Sequence, residues 1–195
     1  MEGKVVIYQL LLRAFGKRKY VSGGSYDING SGKFDDITED VLKKFKKLSV
    51  NAIWYTGVVS HATKTHFHGI KDCNASIVKG EAGSPYAIRN YFDVNPALAN
   101  NHDNRMVEFE ALIRRTHKAG IKVIIDFVPN HVFRQYDTYF TRDNFYILDG
   151  PLVLPQSLNS DYVENPAKAT GNDVFHRSPS INDWYDTVKL NYDNP

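Results

Sequence analysis

Ile121-Lys122-Val123-Ile124-Ile125-Asp126-Phe127-Val128-Pro129-Asn130-His131 is the stretch on which the fold turns. Its first eight residues form an apolar, β-branched run of strand length, bounded by a breaker. Pro129 lacks the N–H that a central ladder requires, so Asp126, Asn130 and His131 fall at the C-terminal end of the strand. Just upstream, residues 103–119 place Met106, Phe109, Leu112, Ile113 and Thr116 at helical spacing, and Gly120 is suited to end that helix.

The same alternation continues towards the N-terminus. Asn51-Ala52-Ile53-Trp54-Tyr55-Thr56 reads as a strand. Before it lies a helix that Asp36 or Thr38 can cap, with Val41, Leu42, Phe45 and Leu48 recurring at helical spacing. Val5-Val6-Ile7-Tyr8-Gln9-Leu10 reads as the first buried strand. Residues 16–35 and 57–100 read as loops, the second carrying His61, His66, His68, Cys73 and Gly83-Ser84-Pro85-Tyr86. Strand, helix, strand, helix, strand, with strands apolar on both faces, implies a parallel α/β sheet. Doubly wound and barrel arrangements both satisfy that order. No Gly-rich dinucleotide fingerprint follows the first strand, which counts against a Rossmann arrangement. Residues 132–182 lose the pattern and read as an irregular inserted subdomain, after which 183–195 is mixed in character.

Composition narrows the function. Twenty-four Lys and Arg stand against 22 Asp and Glu in 195 residues, so no electrostatic case arises for nucleic acid or an anionic membrane. The lysines at 43, 44, 46 and 47 read as the solvated face of a helix. No apolar run approaches the roughly 18–20 residues of a membrane span, and Met1-Glu2-Gly3-Lys4 leads straight into a strand without a signal peptide. If the parent protein is exported, its leader is not in this sequence. The single cysteine, Cys73, excludes an internal disulfide. His66 and His68 in a polar loop read as solvent-facing rather than as zinc ligands. Aromatic residues make up 13% of the chain, enough to furnish both a core and exposed ring platforms.

Asp126-x-x-x-Asn130-His131 after an apolar strand resembles the first signature region of the α-amylase family, glycoside hydrolase family 13. Val6-Ile7-Tyr8-Gln9 followed by Arg13-Ala14-Phe15 resembles the family's first strand, and Leu48-Ser49-Val50-Asn51-Ala52-Ile53-Trp54 its second. Ser84-Pro85-Tyr86 followed by Asn90-Tyr91-Phe92-Asp93-Val94-Asn95-Pro96 resembles the loop that holds a substrate-stacking tyrosine. The resemblance implies the N-terminal portion of a (β/α)8 barrel, with residues 1–131 as its first three βα units. It further implies a B-type insertion over 132–182 and a return towards the fourth strand over 183–195. By the same resemblance Tyr86 stacks on a sugar ring, His131 donates to one of its hydroxyls, and Asp126 and Asn130 are supporting residues.

The loop Asp27-Ile28-Asn29-Gly30-Ser31-Gly32-Lys33-Phe34-Asp35 carries oxygen donors at alternate positions, which suits Ca²⁺ or Mg²⁺. It is similar to the family's metal loop, and the ligands carried over are Asp27, Asn29, Ser31, the Lys33 carbonyl and Asp35. Ser31 and Phe34 depart from the family's Asp and Gly, which implies a weaker site. The family's nucleophile, within a Gly-x-Arg-x-Asp motif, and its acid/base glutamate have no counterpart in these residues, whereas a retaining glycosidase needs two carboxylates about 5 Å apart. The expected reading is a fragment of a retaining α-1,4-glucan hydrolase, inactive alone and prone to self-association through open barrel edges. The alternative is a non-catalytic glucan-binding fragment. Gly83, three residues before Tyr86, stands where exo-acting relatives often carry Asp, a hint of endo action.

Overall fold

The structure, a computed structural model, describes residues 4–16, 19–22, 26–136 and 139–194, with the side chains of residues 26 and 27 outside the description. In chain order come β1 (Ile7–Leu11), α1 (Tyr26–Asn29), α2 (Glu39–Lys47), β2 (Ala52–Thr56), β3 (Val59–His61), β4 (Ile88–Val94), α3 (Arg105–Lys118) and β5 (Lys122–Ile125). Then follow β6 (His131–Phe133), β7 (Leu152–Val153), β8 (Val163–Glu164) and β9 (Thr187–Lys189). The chain forms two compact units: residues 1–60 with 91–127, and residues 61–90 with 128–195.

The first unit is the α/β part. Its sheet has the order β1-β2-β5, all parallel, in the register Ile7↔Ala52↔Lys122. The crossovers are α2 and α3. Thr38 starts α2 by accepting the Val41 N–H on its hydroxyl, and Leu42 and Phe45 face inward. From α3, Phe109, Leu112 and Thr116 enter the same core, with Leu12, Phe34, Ile37, Ile53 and Leu98. The Tyr55 hydroxyl meets the Thr116 hydroxyl at 2.9 Å inside this core, and burial pushes the phenol up to about 12. Gly120 takes φ +69° and closes α3, as its position in the sequence suggests.

Several expectations need correction here. The outer strands are not buried on both faces: Ile7 and Tyr8 in β1, and Ile124 and Ile125 in β5, are exposed, as is Phe127 at 78%. Each outer strand has one hydrogen-bonded neighbour among the described residues, and two helices cannot cover both faces of three strands. Leu48 is 67% exposed because α2 has already ended and the backbone turns left-handed at Ser49, with φ 62°. Met106 is exposed in the first turn of α3, one turn before its buried face begins. Within the stretch read as a loop over 57–100 lie β3 and the seven-residue β4. Its sequence, IRNYFDV, lacks the clean apolar alternation that signals a strand.

The second unit is built from short strands. β6 pairs antiparallel with β9, with His131 opposite Lys189 and Phe133 opposite Thr187, while β7 pairs with β8. Ile77, Ala87, Phe133, Leu152, Ala167 and Tyr185 share its core. Strands of two or three residues cannot hold themselves together. A buried cation helps: the Arg134 guanidinium donates to the carbonyls of Tyr185 at 2.8 Å and Thr187 at 3.0 Å and pairs with Glu164. Lys168 completes the group, 3.0 Å from the same carboxylate. No helix among the described residues is long and apolar enough to cross a membrane.

Candidate functional site

A cavity of about 330 Å³ in the second unit is lined by Lys79, Ser84, Tyr86, Val128, His131, Trp184, Asp186 and Thr187. Tyr86 and His131, placed 45 residues apart in the sequence, thus share one concavity. Tyr86 is 40% exposed, and its loop is bent so that its own N–H reaches the Ser84 hydroxyl at 3.3 Å. His131 opens β6, and its ring lies edge-on to Trp184, with centroids 5.3 Å apart. An indole, a phenol and an imidazole round one polar-edged cleft can bind a ring that has apolar faces and a hydroxylated rim.

Charge in the cavity comes from three groups. Burial lowers the pKa of His131, the hydrogen bond to the Tyr86 backbone works against that shift, and the charge of Lys189 adds to it. The ring is therefore held neutral over a wider pH range. Asp186 is only 3% exposed, and burial raises its pKa against the opposing pull of Lys79 and Arg134. Lys79 lies 4.0 Å from that carboxylate, donates to the Asp183 carbonyl at 2.7 Å and sits over the Tyr185 ring. Sequence reasoning missed Lys79, Trp184 and Asp186. The Asp-Trp-Tyr-Asp cluster at 183–186 is the one local signal that could have drawn attention to two of them.

Residues 22–191 match the family model described as "Alpha amylase, catalytic domain". The chain belongs to the α-amylase family. Alpha-amylase 3 of Dictyoglomus thermophilum is 24% identical over 97% of the chain and 31% of its own length. An alpha-glucosidase of Apis mellifera is 37% identical over 69% of the chain and 18% of its own length. The crystal structure of an alpha-amylase from Lactobacillus plantarum shares the fold with a TM-score of 0.56 at 22% identity, covering 97% of the chain and 32% of that protein. The chain thus spans about a third or less of the proteins it matches. Its fold is the N-terminal portion of the family's (β/α)8 barrel with an irregular insertion after the third barrel strand.

The remaining amylase-family positions fall as follows. In the first unit Asp126 accepts the Trp54 indole N–H at 2.7 Å on Oδ1, and its buried Oδ2 has no hydrogen-bond partner among the described residues. In the second unit Asn130 touches His131 directly, its Nδ2 2.9 Å from the ring's Nδ1. His61 is buried, while His66 is exposed and pairs with Asp72 at 2.8 Å. Gly83 has a structural reason to be glycine: at φ +69°, a Cβ there would come within 1.7 Å of the Ala62 carbonyl oxygen.

The 27–35 loop holds no ready cation cage among its described donors. The Asn29 carboxamide oxygen takes the Val21 N–H at 2.7 Å, the Ser31 hydroxyl donates to the Gly32 carbonyl, and the Lys33 carbonyl takes the Asp36 N–H at 3.0 Å. Asp35 is held by Asn100 at 2.8 Å and lies 3.7 Å from Arg115. The side chain of Asp27 lies outside the described residues. No group of three or more His, Cys, Asp or Glu among the described residues is gathered for a metal. Asn29 and Asp35 thus have protein partners, whereas the Ser31 hydroxyl, as a donor, keeps its lone pairs, and no cation cage is assembled among the described donors.

Proposed function

We propose that this chain supplies the sugar-binding face of a retaining α-glucan hydrolase acting on α-1,4 linkages, with Tyr86 as the stacking platform and His131 as a hydroxyl donor. The observation that carries this reading is the meeting of Tyr86, His131 and Trp184 round one cavity. Its volume, about 330 Å³, is at the small end of ligand clefts, which run from about 300 to 1,000 Å³. Supporting roles fall to Asn130, which touches His131, and to Asp126 in the other unit. The domain reading that goes with this is barrel units over 1–131, a B-type insertion over 132–182 and a returning segment over 183–195.

Within this reading the chain's own residues bind and orient the sugar. Stacking on Tyr86 and Trp184 fixes the ring plane, and polar groups at the rim select hydroxyls. Covalent chemistry would need a carboxylate pair, for which these 195 residues carry no family motif. The alternative reading is a glucan-binding fragment without catalysis. The test is titration of maltotriose into the ¹⁵N-labelled chain. Shifts confined to the cavity, weak in affinity and lost in Tyr86→Ala and His131→Ala, are expected. Saturable binding that both variants retain would overturn the assignment.

A further inference from the structure

Lys189 stands directly opposite His131 in the β6–β9 pair, and two hydrogen bonds connect its charge to the imidazole through Asn130. Its ammonium donates to Asn130 Oδ1 at 2.8 Å and pairs with Asp173 at 3.0 Å. On its nitrogen side, Asn130 Nδ2 donates to the Gly171 carbonyl at 2.9 Å and lies 2.9 Å from His131 Nδ1.

These partners leave the carboxamide no choice of orientation. An ammonium can only donate and a peptide carbonyl can only accept, so the oxygen must face Lys189 and the nitrogen must face Gly171. The second Nδ2 hydrogen then points at His131 Nδ1. That ring nitrogen must offer a lone pair, which leaves the proton of the neutral ring on Nε2. We propose that Lys189 is a positioning residue that selects the Nε2–H tautomer of His131 by locking the orientation of Asn130. Nε2–H is then the single donor of the neutral ring, the group that can serve a hydroxyl in the cavity.

Gly171 supports this arrangement. A Cβ there would lie 2.1 Å from the Thr187 hydroxyl and 3.1 Å from His131 Cγ. Glycine is what lets the 171 carbonyl reach Asn130 beside the ring. Nothing in the sequence connected Lys189 to the site, because the link depends on strand register.

The functional meaning of the relay rests on the glucan-binding reading, but its test needs no sugar. The histidine-labelled chain is examined by long-range ¹H–¹⁵N spectra above the ring's titration, with His131→Ala assigning the ring. The wild-type chain should show the Nε2–H tautomer alone, and Lys189→Arg should keep it. Lys189→Met should give a mixture, because the carboxamide is no longer held from its oxygen side. Asn130→Asp places an acceptor against Nδ1 and should move the proton there or charge the ring. An Nδ1–H ring in the wild-type chain, or an unchanged Nε2–H ring in a folded Lys189→Met variant, would overturn the proposal. If Lys189→Met does not fold, Asn130→Asp decides: retention of Nε2–H there overturns it. Loss of maltotriose binding with the tautomer intact would count against the glucan reading alone.

Discussion

Replacing Arg134 by Met should cost the second unit more than any other single polar substitution, for reasons of burial. The Arg134 side chain has no exposed surface, and that of its partner Glu164 is only 12% exposed. Removal strands this carboxylate and frees the Tyr185 and Thr187 carbonyls, at 2.8 and 3.0 Å from the guanidinium. Removing one partner of a buried ion pair costs about 3–5 kcal/mol, and each buried acceptor left unsatisfied about 1–3 kcal/mol. These losses share one side chain and do not add. Lys168, 3.0 Å from the other Glu164 oxygen, offsets part of the stranded charge. The expected loss is therefore about 3–5 kcal/mol, against a whole-domain stability of roughly 5–15 kcal/mol. In urea, with a slope of about 2 kcal/mol/M, the midpoint should fall by about 1.5–2.5 M. Arg114→Met breaks an exposed i,i+4 pair with Glu110 and should cost under about 0.5 kcal/mol. A loss below about 1 kcal/mol in Arg134→Met would show that the guanidinium does not hold the short strands together.

Asp186→Asn should stabilise the chain at neutral pH. The folded state raises this carboxyl above its ordinary 3.8, so its favourable contribution is complete below pH 3.8 and is lost as pH rises through the folded value; an advantage of Asn that grew as pH fell would contradict this. His131 acts in the opposite sense. Its pKa lies below the ordinary 6.5, so it opposes folding increasingly as pH falls below 6.5, and His131→Gln should weaken the pH dependence there. Ca²⁺ titration decides the 27–35 loop: a saturable heat abolished by Asp27→Ala supports a cation there, and no heat at millimolar concentration excludes it. The chain alone should release no reducing sugar from soluble starch; turnover within about 1–10³ s⁻¹ that falls in His131→Ala would reveal a catalytic pair among these residues. Exposed Ile7, Ile125 and Phe127 on an open three-stranded sheet should drive self-association, and a monomer by light scattering would refute that.

Much of the first unit was legible because its signals are local. Thr38 is a cap by chemistry, Gly120 ends a helix by its freedom at positive φ, and strands at 52–56 and 122–125 announce themselves as β-branched runs. Leu48 misled because periodicity continues in the sequence after the helix has stopped. The second unit was largely illegible. Its strands are two or three residues long, below the length at which alternation can be seen, and a buried Arg134 network holds them in place of a repeating pattern.

By itself, the sequence determined the family, the parallel α/β order and the two residues, Tyr86 and His131, on which the glucan reading rests. Those depend on residue type at short range: an apolar run, a proline that stops it, a motif of adjacent residues. Tertiary structure alone decided that Trp184, Asp186 and Lys79 share their cavity and that Lys189 reaches the imidazole through Asn130. Strand register and chain reversal bring these groups together across as many as 107 residues, from Lys79 to Asp186. A linear pattern records which side chains exist, whereas hydrogen-bond partners, burial and shifted pKa values arise only when folding removes water from between them.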